Sequence, residues 1–149
     1  MKKVFMVKGE TTPEEYLKNM FDCIGENGEL NIAREVDDVT FCTAESEGEA
    51  THIEKVTVDT SRISFGELYD YYLNAMEKIK NGTFIDSLPS DEELGKYGVR
   101  MGICAKRIAM LMELKAPELI LQNEKCMFID SILLYKSNAV GELRENNAL

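Results

Sequence analysis

The chain of 149 residues has no tryptophan, one histidine (His52) and three prolines, and its 17 lysines and arginines face 27 aspartates and glutamates. A lone histidine, with no serine or cysteine in a nucleophile context, gives no warrant for triad or dyad catalysis. The shortage of bases leaves a net charge of −10, which disfavours direct binding to nucleic-acid phosphates over most of the surface. Long apolar runs are missing as well. None approaches the roughly 20 residues needed to cross a bilayer. After Met1-Lys2-Lys3 the apolar run Val4-Phe5-Met6-Val7 is too short for a signal peptide. A cytoplasmic protein with no membrane partner is expected.

Cys23, Cys42, Cys104 and Cys126 form no C-x-x-C pair and have no metal-ligand spacing, so reduced thiols serving as small apolar side chains are expected. The sequence also lacks G-x-x-x-x-G-K-S/T, G-x-G-x-x-G after a strand, H-E-x-x-H and G-x-S-x-G. Glu67 and Asp70 have the spacing of helical metal ligands once, without a matching second pair. A non-enzymatic protein with no cofactor and no metal is therefore the expectation, and a small metal-dependent enzyme built on that pair is a third reading.

What is present is a composition that folds: 44% of the residues are hydrophobic, with six tyrosines and six phenylalanines. At this length one domain with one core is expected over 1–149. Thr12-Pro13-Glu14-Glu15 is a helix start, and Tyr16, Leu17, Met20, Phe21 and Ile24 form one stripe, predicting a helix over 12–25. Ser64-Phe65-Gly66-Glu67 opens a second helix, with Leu68, Tyr72, Ala75, Met76 and Ile79 as its apolar face and Asn81-Gly82 as its stop. Ser90-Asp91-Glu92-Glu93 opens a third, running to about Leu114 through Tyr97, Met101, Ala105 and Ile108. Gly95, Gly98 and Gly102 on it either admit a close backbone or break its first turns. Pro117 introduces a fourth helix, from about Glu118 to Tyr135, apolar nearly all round late in its course, which is central to the core or forms a dimer.

Strands are expected at Lys3–Val7, Val39–Ala44 and His52–Asp59, the last two joined as a hairpin by Glu45-Ser46-Glu47-Gly48-Glu49. The fold class is thus α+β: a small, mostly antiparallel sheet of about three strands with four helices, the last two a C-terminal helical hairpin. Residues 1–82 form its acidic α+β part, 90–136 the hairpin and 137–149 a polar, frayed tail, with the best seam at Thr83–Pro89.

The negative charge is uneven. Residues 1–99 carry 21 acids and 10 bases, whereas residues 100–149 carry six acids and seven bases. Asp22, Glu26, Glu29 and Glu35 precede the densest group, Asp37, Asp38, Glu45, Glu47 and Glu49, the candidate partner-binding residues. Carboxylates at such density suit a basic groove that normally holds nucleic acid, with electrostatic steering of association. Inhibitors encoded by mobile elements and some antitoxins work in this way. The expected partner is a basic protein (a nuclease, a toxin or a polymerase subunit), and a homodimer through the C-terminal helix is a further expectation.

A second reading rests on Arg107-Ile108, Leu111-Met112-Glu113-Leu114 and Lys115-Ala116-Pro117-Glu118-Leu119-Ile120-Leu121-Gln122-Asn123-Glu124-Lys125-Cys126-Met127. Together with Leu94 and Arg100 this stretch resembles a segment of the largest (beta prime) subunit of bacterial RNA polymerase. There R-L-x-x-L-L-E-L leads into A-P-E-I-I-V-x-N-E-K-R-M. The likeness covers about 34 of 149 residues. Cys126 stands where arginine is usual, and the family's catalytic metal motif and cysteine zinc cluster have no counterpart. The resemblance implies no polymerase activity; it implies a helix-Pro-helix unit that pairs with polymerase subunits or imitates one.

Overall fold

Thr12 accepts the Glu15 backbone N–H at 3.2 Å and Pro13 starts the helical turn, giving α1 (Pro13–Cys23), which buries Tyr16, Leu17, Met20 and Cys23. Ser64 caps α2 (Phe65–Lys80) through the Glu67 N–H at 3.2 Å, and the five residues of its expected apolar face are its buried residues. A 3-10 turn at Ile85–Ser87 leads to α3 (Asp91–Glu113), where the Glu93 carboxylate accepts both the Ser90 N–H and its hydroxyl. The fourth helix, α4 (Glu118–Lys136), follows Pro117. The structure is a computed structural model that describes residues 4–7, 12–35, 38–42 and 52–145, with side chains over 12–32 and 54–141.

The glycines of α3 divide the two roles open to them. Gly95 breaks the helix, with φ 70° and ψ −175° between two helical stretches, while at Gly98 a Cβ would stand 2.7 Å from the Leu94 Cβ and 3.1 Å from the Tyr135 ring, so its absence makes room for both the preceding turn and α4.

The architecture is α+β with an antiparallel sheet and four helices, the last two packed together, as the sequence predicts. The described strands are β1 (Val4–Val7), β2 (Glu29–Glu35), β3 (Asp38–Cys42), β4 (His52–Thr57) and β5 (Val140–Glu145), in spatial order β1-β3-β2-β4-β5. Three details differ from expectation. The segments at β3 and β4 do not pair as a hairpin, because β2 lies between them and bonds to both, Ile32 standing opposite Phe41 and Glu54. The sheet gains β2 and β5 beyond the strands expected. Residues 140–145 of the supposed frayed tail are β5, held by the β4 ladder from Thr57↔Val140 to His52↔Glu145.

One buried cluster runs from Tyr16 to Leu134 and takes in residues of all four helices, β2 and β4. At its centre is α4, in which every residue from Phe128 to Leu134 is buried. Its apolar belt from Phe128 to Leu134 therefore packs within its own chain, against α1, α2 and α3. The structure thus places this part of α4 in the core, one of the two roles expected of a helix apolar all round.

Candidate functional site

Of the candidate partner-binding residues, Asp38 opens β3 opposite Glu35 of β2. Asp37, Glu45, Glu47 and Glu49 lie outside the described residues. The described ends of their segment are placed: β3 finishes at Cys42 opposite Asn31, and β4 begins at His52 opposite Arg34. Asn31 is two residues from Glu29, at the end of the sheet where α1 turns into β2. Asp22 and Glu26 are exposed there and Glu29 is half-buried. Glu26 shares a surface depression of about 530 Å³ with Asn27, Thr57, Asp59 and Thr60.

Two of these acids are fixed by their own turns. Glu29 accepts the Asn27 N–H at 3.2 Å, and Asp59 accepts the Ser61 hydroxyl at 2.5 Å and its N–H at 3.1 Å. The Ser61 hydroxyl, then its N–H, hold the Asp59 carboxyl below its ordinary range. This end of the molecule presents four carboxylates, two of them, Glu29 and Asp59, held by turn hydrogen bonds.

A second acidic feature is internal. Glu54 shares strand parity with the buried Val56 and Val58 and is itself 1% exposed, facing α3. There Lys96 and Arg100, four residues apart on one helix face, reach it: Lys96 Nζ stands 2.9 Å from Oε2, and Arg100 donates to Oε1. Both cations also lie over the Tyr97 ring, 5.3 and 5.5 Å from its centroid. Burial pushes the Glu54 carboxyl up, but the hydrogen bonds and charges of Arg100 and Lys96 outweigh it and hold the group below its ordinary value.

The polar track continues along the contact of α3 and α4. Burial, then the Glu54 charge, pushes the Tyr97 hydroxyl up to about 12. Cys104, 3.9 Å from the Ser131 hydroxyl, is pushed up to about 12 by burial and then by Glu124. Burial also raises the Glu124 carboxyl, against the opposing Arg107 charge. Cys126 is raised to about 12 by burial as well. Protonated thiols are poor nucleophiles, and a carboxylate saturated by two cations is a poor base. The track joins β4 to α3 and runs on along α4.

The remaining candidates are dispersed. His52 stands opposite Arg34 and Glu145 in the sheet. Glu67 bonds to the Ser64 hydroxyl at 3.3 Å as part of a helix cap, and Asp70 is exposed on α2. Among the described residues no group of three or more histidines, cysteines, aspartates and glutamates comes together to hold a metal, and no helix is long and apolar enough to cross a membrane. Cys23, Cys104 and Cys126 are buried and hold no disulfide. The polymerase-like stretch forms α3, its turn and the first half of α4, with Asn123, Glu124 and Lys125 half-buried.

Sequence reasoning missed Glu54, Lys96 and Arg100. The signal was there in two halves: an acid at the inward parity of Val56 and Val58, and two bases at i, i+4 flanking Tyr97. No family model matches the chain, and no curated protein or solved structure matches it.

Proposed function

We propose that this is a non-enzymatic binding protein whose acidic N-terminal part engages a basic, nucleic-acid-handling partner such as a nuclease or toxin, imitating nucleic acid. The observation that carries the reading is the gathering of Asp22, Glu26, Glu29 and Asp59 at one end of the sheet, where β3 also ends. The strongly acidic connection bearing Glu45, Glu47 and Glu49 departs from there. Carboxylates held by turn hydrogen bonds keep their spacing, as a phosphate mimic requires, and their joint field steers a cationic partner.

The test is capture with tagged protein from host lysate at low and moderate salt, followed by association kinetics with the captured partner. A basic protein is expected, released as salt rises and displaced by duplex DNA. Replacing Glu45, Glu47 and Glu49 together with glutamine should slow association roughly tenfold while leaving dissociation nearly unchanged. Binding indifferent to salt would sink the proposal.

A second reading, a protein that contacts or imitates RNA polymerase, is favoured by the folding of residues 94–127 as one helical hairpin with Leu114, Leu119 and Ile120 exposed at its tip. On that reading, alanine at Asn123 and Lys125 abolishes co-purification with polymerase subunits. Unchanged co-purification, or none from the start, removes it.

A further inference from the structure

The outward face of α3 carries a stripe of solvent-exposed side chains. Ile103, Arg107, Met110 and Leu114 are spaced four, three and four apart, the seam spacing of a two-stranded coiled coil. Ile103 is 44% exposed, Met110 53% and Leu114 70%, and Arg107 is exposed too. The stripe lies on the regular part of α3, beyond the break at Gly95. Beside it opens a cleft of about 340 Å³, lined by Ile79, Phe84, Ile85 and Ala109, which gives the face relief for a partner's side chains. Three large apolar residues in register along a solvent-facing helix mark an interaction surface rather than scattered exposure.

We infer that this face docks a second copy of the chain, with the two α3 helices antiparallel about a two-fold axis. In that arrangement Ile103 meets the partner's Leu114 and Arg107 meets the partner's Met110, each contact made twice, as a self-complementary interface requires. The flanking charges select this occupant. Lys106 and Glu113 are exposed on one side of the stripe, seven residues apart, so antiparallel pairing sets Lys106 against the partner's Glu113 and repeats the pair by symmetry. Parallel pairing instead sets Lys106 beside the partner's Leu111 and forms no such pair.

Sedimentation of the full chain over a wide concentration range, at moderate salt, tests the interface. The wild type should pass by mass action from the 16.9 kDa monomer to twice that mass. Met110→Glu with Leu114→Glu should stay monomeric at every concentration with unchanged helical circular dichroism, since both side chains face solvent in the monomer. Lys106→Glu should weaken dimerisation about tenfold, and Lys106→Glu with Glu113→Lys should restore it. A wild type that remains monomeric overturns the inference and leaves the stripe to a foreign helix. A dimer indifferent to Met110→Glu and Leu114→Glu, or a charge swap that fails to restore association, overturns it equally.

Discussion

Replacing Arg100 with methionine should destabilise the fold by about 2 kcal/mol, short of the roughly 3–5 kcal/mol for stranding a buried charge because Lys96 still reaches the other Glu54 oxygen. The cost comes from Glu54, which is 1% exposed on a central strand and cannot turn to water without parting β4 from α3. Replacing Glu54 and Arg100 together, with leucine and methionine, should recover most of the loss, because no uncompensated charge then remains inside. Lys96→Met should cost about 1 kcal/mol or less, since that side chain is 49% exposed and its attraction is screened. Urea denaturation of the four proteins measures all three differences. If the double variant is as unstable as Arg100→Met, the cost lies in packing and the charge lock is wrong.

The same cluster fixes a pH dependence. Desolvation alone would raise the Glu54 carboxyl, yet Arg100 and Lys96 bring it below its ordinary value of 4.5 in the folded state. A lowered carboxyl contributes stability that is fully present above its unfolded value and is lost as pH falls through the folded one. Glu124 has the opposite sign. Its folded value is raised by burial, so its ionisation opposes folding at neutral pH and that penalty is relieved in acid. The stability gap between wild type and the Glu54→Leu, Arg100→Met double variant should therefore shift in favour of the variant below about pH 4. A gap constant through that range would mean that Glu54 is not ionised in the fold.

The helices were legible because each carries its own instructions. Thr12, Ser64 and Ser90 cap within three residues of where they stand, and the stripes that they introduce need no partner to be seen. The strands were harder because their signal is mutual. In β2, Glu29-Leu30-Asn31-Ile32-Ala33-Arg34-Glu35 offers only Leu30 and Ile32 as a buried alternation, and β5 at the sheet edge contains Gly141. Both exist because β4 pairs with them, a contact that spans most of the chain in the case of β5. Because β2 carries so weak a signal, β3 and β4 read as sequence neighbours and a hairpin, whereas in the sheet they flank a third strand. The candidate site divides in the same way. A dense run of acids is visible in one dimension, whereas the meeting of Glu54 with Lys96 and Arg100 joins residues more than forty positions apart. Parity marked Glu54 as inward; nothing local named its partners.

The fate of α4 gives the other large effect. Phe128→Ala should cost about 3–5 kcal/mol, a substantial share of the roughly 5–15 kcal/mol that holds a domain of this size together. Phe128 is fully buried and sits in a row of rings: Phe21 to Phe65 at 6.0 Å, Phe65 to Tyr69 at 6.3 Å, Tyr69 to Tyr72 at 6.5 Å, Tyr72 to Phe128 at 6.1 Å and Phe128 to Phe84 at 5.7 Å. The row connects α1 through α2 to α4 and on to the segment before the 3-10 turn, so deleting one inner ring opens a cavity that no exposed side chain can fill. Phe128→Leu, which keeps most of the volume, should cost about 1–2 kcal/mol. Leu73→Ala on the exposed side of α2 should stay within about 0.5 kcal/mol. Thermal unfolding at low protein concentration should then place Phe128→Ala about 10 °C below wild type. A helix that served mainly as a dimer face would behave otherwise: Phe128→Ala would leave the dilute monomer nearly as stable and weaken association instead. A loss below about 1 kcal/mol would thus return the apolar belt of α4 to the surface and reopen it as an interface.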